Sequence, residues 1–343
     1  MNESTLETGS ATALVSALSD AIAARSASID SKHESAFRLF NGFTEGYPEL
    51  AADVYGKTLV LHNHADEPQA VSPLLDMAAE FIVEQLPWIA TVLVKSRHAA
   101  TEDEKRGRLL LGEMIDRQIV ENGVRYAVHL QLNQDASFYL DTRHLREWAK
   151  ANLKGKSVLN TFAYTGSLGV AAKAGGATRV VHLDLSRAFL NVAKDSYVRN
   201  GFPIDKNDFR AGDFWPQISH LKRDHARFDC VFVDPPLFST TRHGTVDMAE
   251  SSQRVINKVR PLIADGGYLI VVNNALFVSG AAFMETLEAL CADGYLTIET
   301  LIPVPQDFIG YSPVASSALP ADPAPFNHST KIAVLKVRRK DAK

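Results

Sequence analysis

The sequence predicts an α/β protein in which a large, doubly wound sheet of seven strands follows a smaller α+β domain. From about residue 144 onward, apolar strand candidates alternate with helices of roughly 10–15 residues, which is typical of a parallel sheet covered on both faces. Two further strand candidates, LTIETLIPVP and KIAVLKVRR, complete the sheet as antiparallel strands at its edge. The predicted divisions are a tail and helix over residues 1–34, the small domain over 35–135 and the large domain over 136–343.

The N-terminal third is predicted to begin with a disordered stretch over residues 1–10. Apolar residues then recur at helical spacing, which predicts one amphipathic helix from Ala11 to about Ser28. The strand candidates that follow are AFRLFNG, KTLVLHNH, ATVLVKSRH, RLLLGEMI, RQIVENG and VRYAVHLQL. Ser72-Pro73 opens a helix between the second and third of these, and Asn122-Gly123 predicts a hairpin turn between the last two. This small domain is a candidate for substrate recognition.

The large domain repeats a strand and helix rhythm. Its helix candidates are REWAKANLKG, GSLGVAAKAGG, RAFLNVAKDSYVRNG, the range 246–263 and AAFMETLEALCADG. Its strand candidates, besides the two at the C-terminal edge, are KSVLNTFAY, RVVHLDLS, DFRAGDF, FDCVFVDPP and GYLIVVNNA. In an open sheet of this kind, ligands bind at the carboxyl ends of the strands. The residues directly after each strand are therefore the candidates for chemistry.

Composition and charge exclude several classes of protein. The chain has 343 residues, of which 46% are apolar and 22% charged, as in a soluble globular protein. A formal net charge of −4 excludes a histone-like polycation but not an enzyme with a local basic patch. Two cysteines are too few for a zinc site, and the eleven histidines have no ligand spacing, so no metal is expected. The polar N-terminus and the lack of a long apolar run predict a cytoplasmic protein with no membrane partner.

The turns after the first two strands suit a nucleotide-like ligand. Gly166 and Gly169 allow close approach of a ligand to the backbone at the start of a helix, although a purely structural turn is an equal alternative. Asp184 ends the second strand, about 20 residues further on, where a carboxylate can accept hydrogen bonds from ribose hydroxyls. Its alternative role is to cap the next helix, which Ser186 can also do.

The next two strands end in further polar turns. After the third strand, Asp213 can meet an adenine amine and Phe214 can cover the ring. The fourth strand ends at Asp234, and Pro235-Pro236 make the turn rigid and remove two amide donors. Such a corner offers only acceptors and suits an amino-bearing planar base, on which Phe238 could stack. The alternative is a structural Pro-Pro turn.

In this order, four segments resemble the motifs of class I S-adenosylmethionine-dependent methyltransferases: VLNTFAYTGSLGVAAKAGGA, VVHLDLS, GDF and FDCVFVDPPLFS. With SFYLDTR, FRLFNG and PELAADVYG upstream, the match covers about residues 35–340. More narrowly, the sequence is similar to bacterial large-subunit rRNA methyltransferases that act on cytosine C5 or guanine N7. The resemblance implies a Rossmann-like class I core, S-adenosylmethionine as cofactor and RNA, in particular rRNA, as partner.

The resemblance also implies roles for individual residues. It assigns the cofactor to Phe162, Tyr164, Thr165 and Gly166 at the methionine end, to Asp184, Leu185 and Ser186 at the ribose, and to Gly212, Asp213 and Phe214 at the adenine. Asp234, Pro235 and Pro236 are the catalytic residues that hold the target base, with Asp234 also beside the cofactor. Further substrate contacts are assigned to Arg143, Phe238, Arg242, Asn273 and Asn274.

Within this group the sequence favours guanine. The cytosine enzymes carry a nucleophilic cysteine after the fifth strand and often begin with a PUA domain. Here that strand ends in Asn273-Asn274, as in the guanine-N7 branch, and there is no room for a PUA domain ahead of residue 35. Cys230 and Cys291 fit core or helix-end positions. Guanine N7 has a lone pair, so direct transfer needs no nucleophile on the protein.

Other interpretations stay open at this point. The acceptor could instead be a protein amide or a small molecule. An NAD-dependent dehydrogenase agrees with Asp184 but lacks the full G-x-G-x-x-G motif and leaves Asp234 unexplained. A catalytically silent cofactor-binding or RNA scaffold is a further alternative. The loop 239–244 is either a flap with a phosphate-binding Arg242 or a solvated loop. Lys222 and Arg223 either contact RNA or are solvated. Trp215 is expected to be a packing residue of the core.

Overall fold

A computed structural model describes residues 3–311 and 321–340, with side chains from residue 12 onward. The chain forms two compact units. Unit 1 comprises Met1–Leu140 and Pro305–Ala318, and unit 2 comprises Asp141–Val304 and Leu319–Lys343. The predicted domain limits at 34/35 and 135/136 stay predictions. In the described ranges, no helix is long and apolar enough to cross a bilayer.

Unit 1 is built on a five-stranded sheet in the order β1-β2-β3-β4-β5, in which only β3 and β4 are parallel. Its elements in the first 140 residues are α1 (Glu3–Ala24), β1 (Ala36–Asn41), α2 (Gly42–Glu45), β2 (Leu50–Tyr55), β3 (Thr58–Asn63), α3 (Ser72–Gln85), β4 (Thr91–Ser96), α4 (Glu102–Arg106), β5 (Arg108–Leu111), β6 (Gln118–Glu121) and β7 (Val124–Ala127). The predicted hairpin is present: β6 and β7 pair antiparallel, and Asn122 and Gly123 both have positive φ, as a type I′ turn requires.

Helix α1 differs from its prediction at both ends. It begins at Glu3, so the stretch predicted to be disordered over residues 1–10 is helical from that residue on, and residues 1–2 lie outside the described residues. It ends at Ala24, and a 3₁₀ turn follows at Ser26–Ser28. Leu14 and Leu18, one helical turn apart, are buried in one core with the sheet of unit 1. The helix is therefore part of this unit's core.

Unit 2 contains the seven-stranded sheet, in the order β10-β9-β8-β11-β14-β16-β15, which confirms the predicted fold. Its elements are α5 (Arg143–Asn152), β8 (Ser157–Thr161), α6 (Ser167–Ala174), β9 (Arg179–Asp184), α7 (Arg187–Arg199), β10 (Phe209–Ala211), α8 (Phe214–Arg223), β11 (Phe228–Val233), β12 (Phe238–Thr241), β13 (Gly244–Asp247), α9 (Ser252–Val259), β14 (Ile263–Asn273), α10 (Gly280–Cys291), β15 (Leu296–Leu301) and, after the short α11 (Gln306–Ile309) of unit 1, β16 (Lys331–Val337). Strands β8, β9, β10, β11 and β14 are parallel, and β16 runs antiparallel to both its neighbours.

Alternation along the strands of unit 2 builds a core on each face of the sheet. Leu159 and Val231 point to the face covered by α8, α9 and α10. Val158 and Phe232, their neighbours in sequence, point to the face covered by α5 and α6. The strand order reverses between β8 and β11, which creates the crevice where ligands bind in open sheets.

The region after β11 departs from the predicted helix over 246–263. Strands β12 and β13 form an antiparallel hairpin, and α9 begins only at Ser252. The predicted helix is therefore wrong over 246–251, and the predicted flap at 239–244 is the tip of this hairpin. The β-branched residues Thr240, Thr241 and Thr245 favour strands, so the range predicted as a loop forms a hairpin that extends to Asp247.

The short helix α11 belongs to unit 1 although it lies late in the chain. Arg25 is fully buried, forms a salt bridge to Glu45 at 2.8 Å and donates a hydrogen bond to the carbonyl of Asp307. The backbone N–H of Arg38 donates to the carboxylate of Asp307. These bonds fix the returning segment on the edge strand β1.

Candidate active site

Four loops with predicted site residues meet at one edge of the sheet of unit 2. Strands β10, β9, β8 and β11 are adjacent and parallel, so their carboxyl ends lie on the same edge. The predicted site residues 212–214, 184–186, 162–166 and 234–236 lie at these carboxyl ends or directly after them, in the same order of strands. The backbone N–H of Gly212 donates to the carbonyl of Asp184 at 2.9 Å and joins two of these loops. The fold thus brings the predicted cofactor and base residues to the same edge of the sheet.

The turn after β8 has an unusual backbone. Phe162 and Tyr164 have φ values of 53° and 50°, which non-glycine residues rarely adopt. Gly166, with φ of 79°, directly precedes α6, and a Cβ there would lie 2.6 Å from the Cβ of Ala193. Only glycine fits this position. Such strained turns are concentrated at functional sites, because the surrounding structure must hold them in place.

Asp184 helps to hold this turn. One carboxylate oxygen accepts from the backbone N–H of Tyr164 at 2.8 Å, and the other accepts from that of Ser186 at 2.8 Å. Burial raises the pKa of Asp184, although these hydrogen bonds oppose the shift. The hydroxyl of Ser186 caps α7, so the alternative role of Asp184 as the helix cap does not apply. Leu185, between them, is 67% exposed.

The loop after β10 presents an unused acceptor. Oδ1 of Asp213 accepts from the backbone N–H of Trp215 at 2.9 Å and caps α8. Oδ2 of Asp213 is buried and has no hydrogen-bond partner. Buried acceptors are nearly always paired, so this oxygen suits the donor of a ligand.

Phe214, expected at the adenine, is buried and stacks on Phe162 with ring centroids 4.6 Å apart. Phe162 was expected at the methionine end of the cofactor. Direct stacking of the two rings leaves only a small part of Phe214 accessible to a ligand. Thr165, in the same turn as Phe162, is also buried.

Asp234 follows β11 and is half-buried, with Pro235 buried and Pro236 exposed. No described residue donates a hydrogen bond to its carboxylate. Burial, and then the nearby negative charge of Asp141, raise the pKa of Asp234 to about 7. The group can therefore bind or release a proton near neutral pH.

Sequence reasoning missed Asp141. This residue accepts a hydrogen bond from the hydroxyl of Thr330 at 2.8 Å, and its charge acts on Asp234. It lies in the SFYLDTR stretch, from which only Arg143 was named. The signal was present in the motif, but the partner of Asp141 is far away in sequence and only the fold brings them together. Arg143 itself is half-buried at the start of α5.

Three of the other predicted substrate residues are accessible. Phe238 is 60% exposed at the start of β12, and Asn274 is exposed directly after β14. Arg242 is exposed at the tip of the β12–β13 hairpin, where its Nε donates to Nε2 of His243 at 3.0 Å.

Asn273 requires a correction. It is 1% exposed, its Nδ2 donates to the carbonyl of Met248 at 3.0 Å, and its Oδ1 accepts from the backbone N–H of Ala275 at 2.9 Å. These bonds fix the chain after β14. A buried amide used in this way does not reach a substrate, so the direct contact predicted for Asn273 does not agree with its position.

The two thiols are not placed for covalent catalysis. Cys230 is fully buried within β11, and burial raises its pKa well above the ordinary value. Cys291 is the last residue of α10, and burial raises its pKa as well. Neither lies on a loop at the carboxyl edge of the sheet. Over residues 3–311 and 321–340, no three His, Cys, Asp or Glu side chains are grouped so as to hold a metal ion.

Comparison with known proteins agrees with this fold. The chain is 28% identical over 310 residues to YwbD of Bacillus subtilis, which is provisionally named a ribosomal RNA large subunit methyltransferase, and the match covers 86% of this chain and 75% of YwbD. It is 28% identical over 246 residues to the ribosomal RNA large subunit methyltransferase K/L of Shewanella pealeana, which covers 69% of this chain but only 34% of that protein. The crystal structure of SMU.776, assigned as a methyltransferase and complexed with SAH, superposes with a TM-score of 0.81 at 22% identity over 95% of this chain and 82% of SMU.776.

The family assignment follows from the match of a family model. Residues 37–318 match the model described as S-adenosylmethionine-dependent methyltransferase, which covers most of the chain. The sheet order and the loops at its carboxyl edge agree with that assignment. The chain therefore belongs to the S-adenosylmethionine-dependent methyltransferase family, and S-adenosylmethionine is its cofactor.

Proposed function

We propose that this methyltransferase modifies a base of large-subunit ribosomal RNA, that the acceptor is a guanine nitrogen, and that transfer is direct. The names of YwbD and the K/L enzyme support the class of RNA. The proposal depends on the unpaired, half-buried carboxylate of Asp234 at the same sheet edge as the residues assigned to the cofactor. The position of both thiols away from that edge supports transfer without a covalent cysteine intermediate. This substrate also places the enzyme in the cytoplasm.

Three features of the sheet edge fit S-adenosylmethionine. The unpartnered Oδ2 of Asp213 suits the adenine amine. The carboxylate of Asp184, held by two backbone N–H groups, keeps lone pairs for the ribose hydroxyls. The exposed Leu185 gives an apolar surface beside it. When bound, the cofactor supplies an electrophilic methyl group on a sulfonium, which a nitrogen lone pair can attack.

The corner at Asp234 fits guanine by its donors and acceptors. Guanine presents two adjacent donors, N1–H and the N2 amine, which one carboxylate can accept together. Pro235 and Pro236 have no N–H and leave only carbonyl acceptors beside it. For transfer to N7, Asp234 orients the base, and most of the rate enhancement comes from alignment. For transfer to N2, the Asp234 carboxylate also accepts the amine proton, for which a pKa of about 7 is suitable.

A second candidate acceptor is a side-chain amide of a protein or an amide-bearing small molecule. The observation that favours it is the same acceptor-only corner, because amide N–H groups would bind there equally well. This alternative keeps the cofactor and the role of Asp234, and it differs in the molecule that receives the methyl group.

The test compares modified bases in rRNA from a strain with the gene and from a strain without it. We expect one guanine of the large-subunit rRNA to lose its methyl group in the deletion strain. A wild-type gene should restore the modification and the Asp234→Ala gene should not. If every rRNA position is unchanged and labelled methyl groups enter protein or small molecules instead, the RNA proposal is wrong and the alternative gains support.

A further inference from the structure

A basic cleft lies in unit 2, and none of the residues so far assigned to cofactor and base lines it. It is an open cavity of about 590 Å³, lined by residues of α8, α9 and the tip of the β12–β13 hairpin. Besides Pro216, the lining is polar or aromatic and comprises Trp215, Ser219, Lys222, His243, Arg254, Asn257 and Lys258. Of the described residues that line it, none is acidic.

Trp215 forms an aromatic wall that holds two of the cations. The indole is 8% exposed, with the guanidinium carbon of Arg254 at 4.6 Å from the ring centroid and Nζ of Lys258 at 5.8 Å. Both distances allow cation–π attraction. Trp215 was expected to be a packing residue. Its indole also holds the cations of Arg254 and Lys258. Gly244 lies close to the indole: a Cβ there would be 2.7 Å from Nε1 of Trp215.

The cations of the cleft are not neutralised by the protein. Nζ of Lys258 donates to the hydroxyl of Ser219 at 2.9 Å, which is a neutral acceptor. Burial, and then the charge of Lys258, lower the pKa of Lys222, so the two ammonium groups repel each other. In the described residues, Lys222, Arg254 and Lys258 form no ion pair, whereas the nearby Arg223 and Arg260 pair with Asp224 and Asp293.

We propose that this cleft binds a phosphodiester group of the RNA substrate. An anion would relieve the repulsion between the cations, and phosphate oxygens can accept from all three. The hairpin links the cleft to the base site, because it begins at Phe238, close after Asp234, and its tip places His243 in the cleft. A nucleotide next to the target base could therefore rest its phosphate there. This inference deepens the proposed function and rests on it.

The binding test uses the full chain and a labelled single-stranded RNA oligonucleotide at several salt concentrations. We expect the double variant Arg254→Ala, Lys258→Ala to bind about tenfold more weakly, with a log–log salt slope shallower by about 0.7, which is the contribution of one phosphate contact on a single strand. The control variant Lys206→Ala, Arg227→Ala removes the same charge from two exposed positions of unit 2 and should leave affinity and slope unchanged. The conservative variant Arg254→Lys, Lys258→Arg should restore most of the affinity.

Methyl transfer separates this inference from the proposed function. We expect the double variant to raise KM for RNA about tenfold and to leave kcat unchanged, because neither residue touches the reacting atoms. If the double variant binds RNA as tightly as the wild type and rRNA is still methylated, the inference about the cleft is wrong and the proposed function stands. Weakened RNA binding by the variant, with no rRNA methylation by the wild type, would sustain the cleft and overturn the function.

Two competitors identify the anion. We expect millimolar inorganic phosphate to compete only weakly, because one phosphate cannot also fill the base site. If inorganic phosphate binds at the cleft and the Arg254→Ala, Lys258→Ala variant has the RNA affinity of the wild type, the cleft is a site for free phosphate and the inference is wrong. If polyglutamate displaces RNA and binds more tightly than RNA does, an acidic protein is the partner and the inference is again wrong.

Discussion

Two aspartates, one in each unit, have opposite environments. Asp53 in unit 1 is 3% exposed and accepts from Nε of Arg38 at 2.8 Å and from Nη2 at 3.1 Å, and Nε2 of His62 lies 2.9 Å away. These cationic and hydrogen-bonding partners overcome the effect of burial and hold the pKa of Asp53 far below its ordinary value. Asp234 in unit 2 has no such partner, and its pKa is raised to about 7. The same side chain is fixed as an anion in one unit and left able to titrate in the other.

The contrast extends beyond these two residues. In unit 1 the carboxylate of Glu45 likewise accepts from Nη1 and Nη2 of the buried Arg25. At the sheet edge of unit 2, Asp213 and Asp234 keep carboxylate oxygens without protein donors. A protein that leaves buried acceptors unpaired gives up stability, and a ligand regains it when it supplies the donors. Among these carboxylates, the paired ones stabilise unit 1 and the open ones lie at the candidate site.

Removing the unpaired carboxylate of Asp234 tests the contrast with Asp53 most directly. We expect Asp234→Ala to lower kcat for methyl transfer by about 10²–10⁴-fold, since the variant can neither orient the base nor accept a proton. The dissociation constant of S-adenosylmethionine should change by less than about threefold, and the protein should be at least as stable at pH 8, because a costly charge is gone. Single-turnover kinetics, calorimetry and thermal melting measure these effects. Undiminished transfer would show that Asp234 is not at the base site.

The paired carboxylate should behave in the opposite way. We expect Asp53→Asn to destabilise unit 1 by roughly 3–5 kcal/mol, because it removes the anion from a buried pair with Arg38. Urea unfolding measures the loss, and Asp66→Asn, at a fully exposed position of the same unit, is the control. A folded-state pKa below 3.8 means that the stabilisation is present above that pH and is lost in acid, so the difference between variant and wild type should shrink as the pH falls below about 4. A loss below 1 kcal/mol would contradict the role of the pair.

More of the fold than of the candidate site could be predicted from the sequence. Strand and helix periodicity, with glycines at the turns, was sufficient for the seven-stranded sheet, because local patterns determine which face each residue buries. The β12–β13 hairpin was missed because the polar run 239–244 fits a loop when cross-strand pairing is unknown. Asn273 was misplaced and Asp141 was missed for a related reason. Whether a polar side chain is buried, and which group far away in sequence it meets, depends on tertiary packing.

Removing the second open acceptor should weaken cofactor binding by a smaller factor. Asparagine caps helices as well as aspartate does, so Asp213→Asn should preserve the start of α8 while it removes the charge and one acceptor. We expect the dissociation constant of S-adenosylmethionine to rise about tenfold, which is the scale of one hydrogen bond to a charged group, with a melting temperature close to that of the wild type. Calorimetry measures both affinity and enthalpy. Unchanged affinity would mean that Oδ2 of Asp213 faces no cofactor donor.

The smallest expected effect concerns the charge that acts on Asp234. If the ionised carboxylate is the active form, kcat/KM should rise with pH through a midpoint near 7. Asp141→Asn removes a like charge and should lower that midpoint by up to about one pH unit, whereas Glu285→Gln, at an exposed position on α10, should not move it. The charge of Asp141 also affects the free energy of unfolding. Because the pKa of Asp234 is raised in the folded protein, its stabilising contribution is full below about pH 3.8 and is lost as the pH rises through 7. The Asp141→Asn variant should therefore lose less stability than the wild type between these two pH values. A midpoint that stays near 7 in Asp141→Asn would leave burial as the sole cause of the shift, and Asp234 would then differ from Asp53 only in lacking cationic partners.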